Sequence, residues 1–285
     1  MGPPRTLTAL AVAASAGLGA GLLAAVAGGA GIPVDEPAAV SESAERDVQA
    51  LADGRCDIAT VEALAGRHPG VRQFVVLATN SFADTHGFAS VAVRRSDGRW
   101  ACQTDPVPAR FGKTGTRPLI LRRSGDGTTP AGAFPLGSTT AWDGQRFSVF
   151  GNRPDPGVRA GVGYRAVRRE DCWGARPGNS SYNHLVAAPG CGGPDEWLQR
   201  YGDVYSHAAV IGANLEPISG DAPGETPYAA AIFLHRNSYS GSSTRPTSGC
   251  VSLAQHDLET ALRLLDPALD PHFAIGPTSW LRSTA

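Results

Sequence analysis

Cys250 and His235 are the side chains in this 285-residue sequence whose types and spacing suit covalent chemistry. A thiol attacks a carbonyl carbon only as the thiolate, so it needs a nearby base, and imidazole is the side chain that titrates near neutral pH. His235 ends the apolar run Ala230, Ile232, Phe233, Leu234, which reads as a strand. A Ser/Gly-rich excursion follows, and 250 − 235 = 15 residues later the turn Ser248-Gly249-Cys250 arrives. An excursion of that size can return the chain to its start. Taken singly, His235 is a polar strand end and Cys250 a small buried hydrophobe, the commoner fate of a free cysteine. In the order His, loop, Ser-Gly-Cys, apolar residue, helix, they read as base and nucleophile.

The elements around the pair must hold it. Leu258, Ala261, Leu262 and Leu265 fall on one helical face, and Asp266-Pro267 ends that helix. Ser252 with Gln255 reads as a capping box, so the helix is expected to begin within two or three residues of Cys250, where its N-terminal N–H groups favour a thiolate. Backbone N–H groups at Gly249 and Cys250, in a turn opened by Ser248, are the expected oxyanion donors. Arg236 and Arg245 flank the excursion and could meet substrate carboxylates, although surface arginines are usually just solvated. The irregular connection from Asp171 to Tyr205 carries Trp173, Tyr182, Asn183 and Trp197. It either wraps the sheet near the site, offering Tyr182 and Asn183 to a substrate, or is a stapled surface loop. His184, His207 and His256 read as surface or core histidines.

The pattern His235 … Thr247-Ser248-Gly249-Cys250-Val251 resembles the signature of the L,D-transpeptidase (YkuD-like) domain, a bacterial cell-wall cross-linking enzyme. About a hundred residues upstream, Thr129-Pro130-Ala131-Gly132-Ala133-Phe134 is similar to the family's Thr-Pro-x-Gly-x-Phe segment. The resemblance covers roughly residues 74 to 276. It departs at Ser248, where many members have His, and at Ser252, where many have Arg or Asn; these mark a subfamily or an altered activity. The resemblance implies a mainly β, sandwich- or barrel-like fold with a few short helices, one directly after the Cys. It further implies acyl transfer through a Cys250 thioester, with peptidoglycan stem peptides as partners, carbapenems as acylating inhibitors, and no cofactor or metal. An L,D-carboxypeptidase with the same nucleophile, and a non-catalytic peptidoglycan-binding protein, are the alternatives.

The rest of the chain agrees with a β-rich exported domain. A formal net charge of −1 leaves no electrostatic footprint for nucleic acid. Thirty-five glycines and 22 prolines suit many turns. Arg5 precedes a long Ala/Leu/Val/Gly run, so residues 1–32 read as a signal peptide or N-terminal membrane anchor, followed by a linker over 33–43. Residues 44–72 are expected to form two short helices that pack on a catalytic domain spanning 73–285, and a monomer is expected. Export to the cell exterior or wall makes disulfides the natural fate of four of the five cysteines. Proximity suggests Cys172 with Cys191 and Cys56 with Cys102 among three possible pairings, leaving Cys250 free. No Cys-x-x-Cys or His-x-x-x-His spacing points to zinc. Asp97-Gly98 between apolar runs predicts a hairpin with a type I′ turn. Strands are also expected at 74–79, 107–111, 118–122, 132–136, 146–150, 164–167, 184–187, 208–213 and 273–276. Gly125 to Thr129 lacks the Gly-Lys-Ser/Thr ending of a phosphate loop and reads as a tight turn.

Overall fold

The computed structural model describes residues 56–123, 125–176, 179–188, 191–213, 215 and 229–285. The predicted export segment, the 33–43 linker and the first of the two predicted helices lie outside them. The described chain is mainly β, with a few short helices. Its largest sheet runs Tyr164–Ala166, Val149–Gly151, Ala208–Val210, Phe233–Arg236, Val251–Leu253, Val107–Arg110, His86–Arg94, Gln73–Thr79, Pro271–Pro277, Thr129–Pro135, Thr116–Pro118, with Trp100–Cys102 also paired to His86–Arg94.

Gln73–Thr79 is buried along its whole length because it is covered on both faces. Val75 and Leu77 point into the apolar cluster that also takes Leu258 and Leu262 from the helix Gln255–Leu264. Phe74, Val76 and Ala78 point the other way, under Val61 and Leu64 of the helix Ile58–Arg67 and Leu281 of the helix Thr278–Ser283. A strand with two buried faces has no polar alternation, which is why Phe-Val-Val-Leu-Ala reads as an unbroken run. The Ile58 helix is capped at its start by the Asp57 carboxylate, which accepts from Thr60 N at 3.0 Å. Arg282 Nη2 meets Asp57 Oδ1 at 2.9 Å and so ties the two helices together.

Both cysteine pairs are disulfides, Cys56–Cys102 and Cys172–Cys191, and Cys250 is the free thiol. Disulfides persist in oxidising compartments, which places the folded chain outside a reducing cytoplasm. Among the described residues no helix is long and apolar enough to cross a membrane.

Four local expectations are corrected. The hairpin between His86–Arg94 and Trp100–Cys102 forms, but only Gly98 of the turn has positive φ (82°), and Gly98 N donates to Arg95 O. The turn is therefore a type I turn closed by a left-handed glycine, in place of type I′. The 118–122 strand is instead a strand Thr116–Pro118 followed by a 3₁₀ turn Leu119–Leu121, because Arg122 folds inward to bond Thr128 O. The 146–150 strand is two strands in different sheets, Arg146–Phe147 with Thr139–Thr140 and Val149–Gly151 in the large sheet. Finally, the helix after Cys250 begins at Gln255, since Val251–Leu253 is a strand held between Phe233–Arg236 and Val107–Arg110. Ser252 is no cap: it is fully buried and its hydroxyl meets the Asn237 amide at 2.8 Å. With three strand residues and Ala254 between them, the helix dipole lies too far on to act on the Cys250 thiol.

Candidate thiol site

Parallel pairing of the His235 and Cys250 strands sets the site. Leu234 pairs with Val251 and His235 with Ser252, which places Phe233 beside Cys250. Side chains alternate across a strand, so Leu234 and Val251 enter the core beneath the helix while Phe233 and Cys250 enter a second cluster on the opposite face. His235 shares that second face, two residues from Phe233, with its ring edge-on to Tyr205 at 5.5 Å. The two sequence-predicted chemical side chains thus emerge on one face, two residues apart in register along neighbouring strands.

The turn before Cys250 is tied at several points. Thr247 Oγ1 donates to Cys250 O at 2.6 Å and accepts from Gly249 N at 3.1 Å. Thr129, from the upstream Thr-Pro segment, donates to the same Cys250 carbonyl at 3.0 Å. Gly249 has φ +151°, and a Cβ there would lie 3.2 Å from Thr128 O and 3.3 Å from Arg122 Nη2. The positive φ favours glycine, and a side chain here would also crowd the Thr128 carbonyl and the Arg122 guanidinium. In this state the Gly249 amide, expected as an oxyanion donor, is engaged by Thr247 Oγ1.

The Cys250 thiol donates to Ala231 O at 3.3 Å and does not use His235 as its acceptor in this state. Phe233 N–H points at the same sulfur and favours the thiolate, as does the nearby Arg122 cation; burial, and then the Glu196 charge, act against it and win, pushing the thiol well above its ordinary value. The sequence expectation of a helix-activated thiolate is therefore overturned. His235 is buried too, which lowers its pKa to about 4, so its ring is neutral at physiological pH. Its Nδ1 lies 2.7 Å from Arg236 O, and because a carbonyl only accepts, Nδ1 carries the proton and Nε2 the basic lone pair. The resting pair is a neutral thiol and a neutral imidazole, suited to general-base activation during attack.

A cavity of about 370 Å³ opens on Cys250, Gly249 and Ser248, with Arg122 and Glu196 in its lining. Arg122 is almost fully buried, donates to Thr128 O at 2.9 Å and pairs with Asp126 at 3.8 Å. Glu196 bonds the Tyr205 hydroxyl and, through burial, ionises only at about 7. Neither was singled out from the sequence. Arg122 had a signal, an arginine closing the apolar run Leu119-Ile120-Leu121 just before the Thr-Pro segment; Glu196 had none.

The weaker candidates divide. Tyr182 lies near Arg122. Asn183 is buried and left-handed (φ 60°), accepting from Trp173 Nε1 at 3.0 Å and Ala231 N at 3.1 Å while donating to Ala229 O at 3.0 Å. It holds the segment whose Ala231 carbonyl receives the thiol, so it positions Cys250 and does not face a substrate. Arg236 reaches away to Asp203 at 3.1 Å, and exposed Arg245 is outside the cavity lining. His207 is a core histidine, bonded to Pro154 O and the Gln255 amide, while His184 and His256 are exposed. The Gly125 to Thr129 stretch is a tight turn organised by Asp126, which accepts from Arg123 N and Thr128 N. Among the described residues no three His, Cys, Asp or Glu side chains cluster as metal ligands would. Compared with protein-family models, with curated proteins and with solved structures, the chain matches none.

Proposed function

We propose that the protein is a thiol acyltransferase of the L,D-transpeptidase kind, exported to act on peptidoglycan stem peptides at the cell wall. The observation that carries the reading is the sharing of one sheet face by Cys250, in a cavity, and His235, whose Nδ1–H is engaged by Arg236 O so that Nε2 is basic. The two disulfides support the exported location.

In the first half-reaction the thiol proton passes to His235 Nε2 as Sγ bonds to the carbonyl carbon of the stem peptide's third residue. Collapse of the tetrahedral adduct breaks the C–N bond, and His235 returns the proton to the leaving D-alanine amine. In the second, an acceptor amine attacks the thioester, loses its proton to His235, and the C–S bond breaks to restore the thiol. The product is a 3→3 cross-link; water as acceptor makes the enzyme an L,D-carboxypeptidase. For the thiol to reach His235 it must leave Ala231 O.

Intact-mass analysis after incubation with a carbapenem tests the reading. One adduct is expected per chain, absent in Cys250→Ala and formed about 10²–10⁴ times more slowly in His235→Ala, the range of general-base contributions. Product analysis with and without an added amine then separates transpeptidase from carboxypeptidase. The buried, carbonyl-bonded thiol favours one second reading, a non-catalytic peptidoglycan-binding protein; an unmodified Cys250 with retained binding to cell-wall sacculi would establish it.

A further inference from the structure

The strand Thr116–Pro118 is the last in the large sheet, so the 3₁₀ turn Leu119–Leu121 that follows it lies at a sheet edge. Leu119 packs against the core, but Ile120 and Leu121 project outward, 73% and 64% exposed, more than any other large apolar side chain among the described residues. The apolar surface continues from this tip. Pro118 pairs with Ala131, Ala131 and Trp280 lie together against Gly276, and the Trp280 ring meets exposed Phe82 at 5.7 Å. Phe82 O accepts from Thr116 N at 2.8 Å, which ties it to the same edge strand.

Cations rim the patch. Lys113, Arg117 and Arg123 are exposed, and among the described residues Lys113 and Arg123 have no ion-pair partner. Asp126 is shared between Arg117 at 3.5 Å and Arg122 at 3.8 Å, and Asp84 in the adjoining loop is held by the N–H groups of Asn80 and Ser81. The corner is therefore positive although the whole chain carries a formal charge of −1. Single apolar side chains on a surface need no explanation, whereas a contiguous apolar edge with a charged rim marks an interaction site. Its chemistry matches a membrane surface: aliphatic side chains enter the boundary between headgroups and acyl chains, Trp sits at that level, and Lys and Arg meet lipid phosphates. A soluble polyanion would use the cations and leave Ile120 and Leu121 in water.

We propose that residues 117–123, with Phe82 and Trp280, dock on an anionic phospholipid bilayer, Ile120 and Leu121 entering the headgroup boundary and Lys113, Arg117 and Arg123 meeting the phosphates. Docking of this kind goes beyond the acyl-transfer reading and does not depend on it. Arg122, in the same segment, turns inward to line the Cys250 cavity, so the docked protein holds that cavity beside the bilayer.

Hydrogen exchange of the full chain, followed peptide by peptide, tests the docking with mixed phosphatidylcholine and phosphatidylglycerol vesicles, with phosphatidylcholine vesicles, and with inorganic polyphosphate. Peptide-level exchange reads this corner separately from any attachment through the apolar N-terminal run. The mixed vesicles are expected to slow exchange across 117–123 and the phosphatidylcholine vesicles to leave it unchanged. The double substitution Ile120→Ser with Leu121→Ser should raise the lipid concentration for half protection at least tenfold. Lys113→Gln and Arg123→Gln should each raise it about fivefold. All four altered side chains are exposed, and unchanged melting temperatures verify that the variants fold. No slowing on the mixed vesicles, equal slowing on phosphatidylcholine alone, or undiminished slowing in the Ile120 and Leu121 variant would overturn the docking. Slowing by polyphosphate that survives in that variant would make the corner a polyanion site and overturn it as well.

Discussion

Opposed groups surround the Cys250 sulfur. Phe233 N–H and Arg122 favour negative charge there, while burial, Glu196 and the lone pairs of Ala231 O oppose it. Burial dominates, so the thiolate fraction near neutral pH is small and each unit of pH rise increases it about tenfold. Alkylation of Cys250 by iodoacetamide should therefore climb steadily from pH 6 to pH 9 with no plateau, unlike a helix-activated thiol, which saturates near neutrality. Replacing Arg122 by Met removes a favourable cation and should slow alkylation several-fold at pH 8; a plateau below pH 8 in the unaltered protein would contradict the burial argument. Carbapenem acylation should depend less on pH than simple alkylation above pH 6, because His235, with a pKa of about 4, is already neutral there and can take the proton during attack.

The elements that hold this site come from distant parts of the chain, and this decided what could be read in advance. The runs at 74–79 and 230–235 and both cysteine pairs were legible because each depends on neighbouring residues or on simple proximity. Ser252 misled because its hydroxyl, apt for a cap, is drawn into the sheet by Asn237. Asn183 looked like a substrate contact; its role depends on Ala229 and Ala231, more than forty residues away, and no local pattern announces it. The same holds for the segment that carries Asn183, which is anchored by a buried ion pair between Arg165 and Asp171 at 2.6 Å, extended by Asp143 at 2.9 Å. Removing one partner of a buried pair strands the other charge, so Asp171→Ala should cost about 3–5 kcal/mol in urea unfolding. Asn183→Ala should cost about 1–3 kcal/mol for each buried group it strands and should slow Cys250 acylation at unchanged secondary structure. Full acylation by an Asn183→Ala protein would show that the Ala231 segment does not position the thiol.

Across the whole molecule, the three strongly shifted groups of the site make stability a function of pH with a distinctive shape. His235 ionises at about 4 in the fold against 6.5 ordinarily, so its contribution is full above pH 6.5 and is lost as pH falls through about 4. Glu196 is shifted the other way, from 4.5 to about 7, so its contribution is full below pH 4.5 and is lost as pH rises through about 7. Between pH 4.5 and 6.5 the two slopes have opposite sign and similar size, and the melting temperature should be nearly level. Glu196→Gln should unmask the His235 term, giving a stability that rises with pH across that window, and His235→Gln should unmask the Glu196 term, giving one that falls. Cys250, shifted upward from 9.0, acts only beyond the window: its contribution is full below pH 9 and is lost above it, so Cys250→Ser should soften the alkaline decline alone. Thermal melts of the four proteins from pH 4 to pH 10 check all three signs together. Parallel curves for the unaltered and Glu196→Gln proteins would mean that Glu196 titrates as an ordinary surface carboxylate. In that case its burial in the cavity, and with it the charge that acts on Cys250, would have to be given up.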